Sequence, residues 1–157
     1  MADPSTVKTN VKLGFSSIFW NTSWIGGQEP HTLGILCKPK NAALGDFPTE
    51  YHSNWQWWEL ISSAATMEMD ALPGNLSPIV QVVSDWFDPK KLGLVFEAHV
   101  GKGKLLVTSM DLKNNMDKRA VARQMRASLL KYLKSDAFKP TIECTSNQIL
   151  GLFKCKI

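Results

Sequence analysis

The sequence lacks the cysteine and histidine patterns that mark metal, redox and disulfide-rich proteins. Its three cysteines, Cys37, Cys144 and Cys155, are odd in number and widely spaced. There is no C-x-x-C pair and no Cys–His cluster at metal-ligand spacing, so we predict no metal site and no cofactor. Free thiols are the expected state, and a Cys144–Cys155 disulfide is the alternative.

Long apolar runs are also missing. No run approaches the roughly 18–20 residues of a membrane span, so we predict no such span. Residues 1–10, MADPSTVKTN, lack the apolar centre of a signal peptide and are interpreted as a polar, disordered leader. Residues 11–157 are long enough to bury a sizeable core and are predicted to form a single α/β domain.

The excess of positive charge is small. A net charge of +4 does not indicate nucleic-acid binding, because no dense basic patch with an accompanying motif is present. Several of the basic residues fall within a predicted helix at 117–134. There we favour a solvated face over a docking surface for an acidic partner.

Motifs for nucleophilic catalysis and phosphate binding are absent. No G-x-S-x-G elbow exists, and Cys37 precedes Lys-Pro, which does not open a helix. A small hydrolase that uses Cys37 with a histidine is therefore only our third hypothesis. The run Gly101-Lys102-Gly103-Lys104 lacks the spacing of a phosphate loop and fits a hairpin turn.

Four carboxylates lie near aromatic or strand-like segments: Glu50, Glu59, Glu97 and Asp111. Glycoside hydrolysis needs two carboxylates on either side of the scissile bond. Nothing in the sequence pairs any two of these four, and a solvated surface accounts for Glu59 and Glu97. We therefore predict no catalytic residues in this chain.

Strand-like and helix-like segments alternate along the chain. Apolar and β-branched runs predict strands at 11–20, 32–37, 78–83, 92–100 and 104–110. Helical patterns are present at 54–65 and 117–134, and a short helix is expected at 146–153. This order predicts an α/β domain, a layered mixed sheet with flanking helices. A β-sandwich is the alternative.

Aromatic residues are concentrated in residues 47–61, FPTEYHSNWQWWELI, which hold three of the six tryptophans. The spacing of Trp55 and Trp58 places them on one helix face, where we favour packing in the core over ligand binding. Carbohydrate is the ligand that tryptophan faces and neighbouring amides would suit. The candidate carbohydrate-binding residues are Trp24, in a Gly-rich loop, and His52, Asn54 and Trp57.

Four segments resemble the carboxyl-terminal region of bacterial family 2 glycoside hydrolases, the β-galactosidase-like group of gut Bacteroidetes. They are GFSSIFWNTSW (14–24), PHTLGILCKPKNAAL (30–44), FPTEYHSNWQWWELI (47–61) and GLVFEAHVGKGKLLVTSMDL (93–112). The resemblance implies a class I glutamine-amidotransferase-like (flavodoxin-like) fold, here truncated. This chain lacks that fold's Cys nucleophile and its His-x-Glu pair, and the catalytic carboxylates of such enzymes lie in a separate barrel domain.

The resemblance therefore implies a non-catalytic accessory domain of a carbohydrate-degrading hydrolase. Its role would be to support the catalytic domain, to mediate self-association or to contact glycan. The expected partners are other domains of a parent hydrolase, with a periplasmic or extracellular location for that parent. A stand-alone carbohydrate-binding module is the alternative function.

Overall fold

An open antiparallel sheet forms the centre of the structure. The computed structural model describes residues 1–15, 32–85 and 88–154. The described residues form a five-stranded sheet: β1 (Gly34–Cys37), β2 (Met67–Glu68), β3 (Val80–Val83), β4 (Leu92–Val100) and β5 (Gly103–Thr108). The strand order is β1-β3-β4-β2, and β5 also pairs with β4.

Helices accompany this sheet, so the predicted α/β class is confirmed at that level. The helices are α1 (Trp55–Ser62), α2 (Ala120–Leu133) and α3 (Ser146–Leu150), with 3-10 turns at Pro4–Thr6 and Ala42–Leu44. All four strand pairings in the described residues are antiparallel, so the prediction of a mixed sheet is wrong there. One isolated bridge, between His99 and Glu143, is parallel. The described residues contain one sheet with helices rather than the two packed sheets of the β-sandwich alternative.

The predicted hairpin is confirmed. β4 and β5 pair from Val95 with Thr108 to Val100 with Gly103. Gly101 in the turn has a φ of 56°, a backbone conformation that favours glycine. The strand predicted at 11–20 is not formed in residues 11–15, and residues 16–20 lie outside the described part of the chain.

Two clusters of buried side chains make up the core. The larger cluster joins β1, β3 and the start of β4 to α1 and α2. The smaller cluster surrounds Phe96 and Ala98 of β4. Leu94 and Val95 are consecutive, yet both belong to the larger cluster. The pairing of β3 with β4 shifts register at Leu94, because Val80 pairs with Val95 and Gln81 with Gly93. Such a bulge can turn two successive side chains to the same face of the sheet.

Residues 1–10 are packed against the domain, so the interpretation of a disordered leader is corrected. Asp3 caps the first 3-10 turn, and Val7 is buried in the smaller core cluster. Backbone bonds join Lys8 N to Leu152 O and Lys154 N to Thr6 O. The composition of the segment concealed this, because one buried valine and main-chain hydrogen bonds hold it in place.

A carboxylate joins the two main helices. Glu59 of α1 accepts hydrogen bonds from Arg119 Nε at 2.6 Å and from Ala122 N at 3.2 Å. Ala122 lies in the first turn of α2, where backbone N–H groups have no partner within the helix. Nη1 of Arg119 also donates a hydrogen bond to the backbone carbonyl of Asp111 at 2.8 Å. Glu59 is therefore a structural residue that fixes α1 against α2.

We predict that Glu59→Gln lowers the free energy of unfolding by about 1–2 kcal/mol. The glutamine amide keeps the shape of the glutamate side chain. It places an N–H group against one of the two donors, Arg119 Nε or Ala122 N, and it removes the negative charge opposite Arg119. Urea denaturation measures the effect. Asp46→Asn is the matched control: its ion pair with Lys131 is exposed, so a change within about 0.5 kcal/mol is expected. Equal losses in the two variants would contradict the structural role of Glu59.

Candidate functional site

An apolar groove lies at the start of α1. It has a volume of about 370 Å³ and is lined by Phe15, Ser53, Asn54, Trp55 and Trp58. Most of this lining comes from residues 53–58, the segment that enters the helix. Asn54 begins α1 as its N-cap, and its Oδ1 accepts a hydrogen bond from Gln56 N at 3.1 Å. The cap fixes the direction of the helix and with it the positions of the two indoles.

The two tryptophans of the groove are exposed and inclined to each other. Trp55 is 87% exposed and Trp58 is 57% exposed. Their ring centroids are 6.3 Å apart, and their planes meet at 59°. Large aromatic side chains in this state gain little from folding and leave apolar surface in contact with water. An exposed pair of this kind marks a surface suited to binding.

Trp57 has the opposite environment. Its side chain is 0% exposed and contacts the ring of Phe47 edge-on, with centroids 5.1 Å apart. Its indole Nε1 donates a hydrogen bond to Thr49 Oγ1 at 2.8 Å. Leu60 and Ile61 are buried on the same side of the helix. This face, and not that of Trp55, belongs to the core.

Two predictions about the tryptophans are therefore wrong. Trp57 cannot contact a ligand because it is buried, and Trp55 and Trp58 do not pack in the core. Both faces of α1 carry apolar residues at helical spacing, so periodicity alone could not choose between them. Ser62, one turn after Trp58, is the signal that was available. It places a hydroxyl on the Trp55–Trp58 face, whereas the Trp57 face continues with leucine and isoleucine.

The other predicted site residues lie in different places. Asn54 lines the groove, as a ligand-binding residue must. His52 is exposed beside it, with Nε2 3.5 Å from Glu50 Oε2 and Nδ1 3.1 Å from Ser53 O. His52 precedes the lining residue Ser53 in the chain and does not itself line the groove. Trp24 lies outside the described residues.

A glycine supports the wall of the groove. Gly34, at the start of β1, has a φ of 146° and lies beneath Phe15 and Ser53. A Cβ atom built there would lie 3.6 Å from Phe15 Cδ1 and from Ser53 Oγ. The space is sufficient, but the backbone conformation is strained for any other residue. Gly34 therefore permits the backbone conformation with which β1 begins beneath the ring of Phe15.

Three of the four carboxylates considered for catalysis have structural partners. Glu59 is paired with Arg119, and Glu97 Oε2 accepts a 2.6 Å hydrogen bond from the hydroxyl of Tyr132. Asp111 accepts hydrogen bonds from the backbone N–H groups of Lys113 and Asn114. None of these three lines the groove. Among the described residues, no group of three or more His, Cys, Asp or Glu side chains could hold a metal ion.

Cys37 has the environment of a core residue. Its side chain is buried, and burial raises the pKa of the thiol to about 11, against a smaller lowering by the hydroxyl of Thr49. The thiolate is the nucleophilic form of cysteine. A pKa of about 11 leaves little of it at neutral pH. Cys144 is likewise a buried free thiol, whereas Cys155 lies outside the described residues.

Comparison with known proteins gives a family without a described activity. A family model for a domain of unknown function, DUF8487, matches residues 1–154. The chain belongs to this family. The match includes residues 1–10, in agreement with their packing against the sheet. No curated protein matches the sequence. None of the helices in the described part of the chain is long and apolar enough to cross a membrane.

Because Trp57 is buried and Trp55 is exposed, we predict that their substitution has unequal effects on stability. Trp57→Ala removes a fully buried indole and should lower the free energy of unfolding by about 3–5 kcal/mol. Trp55→Ala removes a solvated side chain and should change it by less than about 0.5 kcal/mol. Denaturant unfolding followed by circular dichroism measures both. A large loss in Trp55→Ala would show that this indole is packed.

The pKa of Cys37 predicts slow alkylation in the native protein. At pH 8 the thiolate is about one thousandth of the thiol, compared with roughly a quarter for an unperturbed cysteine. Iodoacetamide should therefore label Cys37 at least about a hundredfold more slowly in native protein than in urea, as read by peptide mass spectrometry. The rate should rise as the pH approaches 11. Rapid native labelling at pH 8 would restore Cys37 as a candidate nucleophile.

Proposed function

We propose that this chain is a non-catalytic accessory domain of a carbohydrate-degrading family 2 glycoside hydrolase, and that it contacts glycan through the groove of Trp55 and Trp58. The resemblance of four segments to such enzymes supports the parent context. The exposed indole pair is the observation that carries the glycan contact. Other domains of the parent hydrolase would be its partners, in the periplasm or outside the cell.

The physical basis of the contact is stacking. The face of an indole ring carries partial negative charge. The C–H groups on one face of a pyranose ring carry partial positive charge and are apolar enough to leave water. Ser53 and Asn54, at the same groove, offer a hydroxyl and an amide to the sugar's hydroxyl groups. The groove thus combines the apolar and polar contacts that a sugar ring requires.

The structural roles of the carboxylates support the non-catalytic part of the proposal. Glu59, Glu97 and Asp111 hold elements of the fold, and the described residues that line the groove include none of the carboxylates that glycoside hydrolysis needs. Cys37 is buried with a raised pKa, so the third hypothesis of a cysteine hydrolase has no support. Activity would reside in a separate domain of the parent.

A stand-alone carbohydrate-binding module is the second candidate. The same exposure of Trp55 and Trp58 favours it, since a binding module needs a solvated aromatic surface. The sequence surrounding the domain in its gene discriminates between the two. A catalytic barrel encoded immediately upstream supports the accessory domain, and a gene without a hydrolase domain supports the module.

The finer fold assignment belongs to the same proposal. A truncated glutamine-amidotransferase-like domain is what the resemblance implies. A flavodoxin-like sheet is mainly parallel, so the antiparallel pairing of the described strands counts against this assignment. An experimental structure of a complete parent hydrolase would decide it.

We predict saturable binding of soluble glycans that depends on the indole pair. Isothermal titration with β-galactosides and with plant and host oligosaccharides measures it. Trp55→Ala and Trp58→Ala should each raise the Kd at least about tenfold, because each removes a stacking surface. The matched control is Leu150→Ala, which removes an exposed apolar side chain on α3.

Two results would contradict this function. Absence of saturable binding across the panel, or binding unchanged in both tryptophan variants, removes the glycan contact. Hydrolysis of nitrophenyl glycosides by the isolated chain, abolished by substitution of one carboxylate, removes the non-catalytic assignment. The two measurements are independent, so each part of the proposal can fail alone.

A further inference from the structure

The geometry points to the size and shape of the ligand: we propose that the groove holds one pyranose ring at a time, from a soluble sugar or a chain end, and not the flat face of a polysaccharide. This inference rests on the proposed glycan contact. It specifies which class of glycan the indole pair can accept. Three features of the groove carry it.

The first feature is the inclination of the two indoles. A flat ligand that lies on the face of Trp55 meets the plane of Trp58 at 59°. An extended, planar polysaccharide surface can therefore stack on only one of them at a time. A platform for such a surface would need coplanar rings. The pair instead forms two walls of a V.

The second feature is the separation of the rings. A sugar ring stacked between two parallel aromatic faces needs two contact distances of about 3.5–4.0 Å, or roughly 7–8 Å in all. The indole centroids are only 6.3 Å apart. A ring therefore cannot lie between the centroids. It must sit in the mouth of the V, with its face on one indole and its edge against the other.

The different exposures of the indoles assign these roles. Trp55, at 87% exposed, offers the larger free face and is the platform for the apolar face of the sugar. Trp58, at 57% exposed, is the wall that meets the ring edge. In the described part of the chain, the hydroxyl of Ser53 and the Nδ2 group of Asn54 have no hydrogen-bond partner, so both can bind sugar hydroxyls.

The third feature is the volume. Pockets for small ligands range from about 300 to 1,000 Å³, and the groove, at about 370 Å³, is near the lower limit. Phe15 and Ser53 line it above Gly34. Further sugars in a chain would extend beyond the described lining of the groove. Affinity should therefore depend on one ring and not on chain length.

The test is a titration series at constant conditions. Methyl pyranosides of glucose, galactose, mannose and xylose are titrated first by calorimetry. For the sugar that binds, linear oligosaccharides from the disaccharide to the hexasaccharide follow. We expect Kd values within about threefold of that of the methyl pyranoside along the whole series. Insoluble cellulose should retain no protein in a pull-down.

Variants separate the two indoles. Trp55→Ala should abolish measurable binding of the methyl pyranoside, whereas Trp58→Phe should weaken it by less than Trp58→Ala, because phenylalanine keeps an aromatic wall. Circular dichroism of each variant verifies the fold, which these exposed residues do not stabilise. Equal losses in Trp58→Phe and Trp58→Ala would overturn the assignment of Trp58 as a wall.

The remaining outcomes distinguish this inference from the function on which it rests. A gain in affinity of more than about tenfold with chain length, or retention on cellulose, overturns the single-ring site and leaves the glycan contact intact. Failure of the glycosides, the oligosaccharides and the cellulose alike to bind overturns the glycan contact, and this inference with it.

Discussion

The burial of Trp57 determines how α1 is oriented, and the candidate site depends on that orientation. Its indole contacts Phe47 edge-on and donates to Thr49, so both its apolar body and its polar N–H group are satisfied inside the core. Leu60 and Ile61 follow at three- and four-residue spacing on the same face. The opposite face must then lie outward. Trp55 and Trp58 are exposed because Trp57 is buried.

The helix that carries the groove is held at several points. Asn54 caps the first turn of α1, and Glu59 links the middle of the helix to the first turn of α2. Gln56 Nε2 donates to Pro48 O at 2.8 Å and ties the helix to the preceding loop. A short helix is marginal alone, so these contacts and the buried face supply its stability. The backbone that carries the two indoles is thereby held in place before a ligand binds.

The sequence was sufficient for elements whose signals are local. The hairpin at Gly101 depends on residues within one turn, and its prediction is confirmed. The helix predicted from residue 54 likewise begins at that place, with Asn54 as its N-cap. The predicted start of α2 is wrong. It was predicted at residue 117 but lies at Ala120, because Arg123 donates to the carbonyls of Met116 and Asp117 in place of helical N–H groups.

Composition directs attention to residues 47–61, but it does not assign the three tryptophans there to faces of α1. Asn54 lines the groove, and His52 lies two residues before it in the chain. Trp55, Trp57 and Trp58 have the same side chain, and Trp57 alone is buried because it contacts Phe47 and Thr49 in the folded structure. Propensity and periodicity contain no information about such contacts. The choice between the two faces required the fold.

The proposed sugar ligand agrees with the polar residues that flank the indoles in the chain. Protein interfaces have a contiguous apolar centre with a polar rim. Here Tyr51 and Leu36 are also exposed, but neither lines the groove, and the polar residues 52–54 separate Tyr51 from the indoles along the chain. The groove itself is mainly apolar, and Ser53 and Asn54 are the polar residues among its described lining. A pyranose has C–H groups on its faces and hydroxyl groups at its edges, so one ring could contact the indoles and these two polar side chains together.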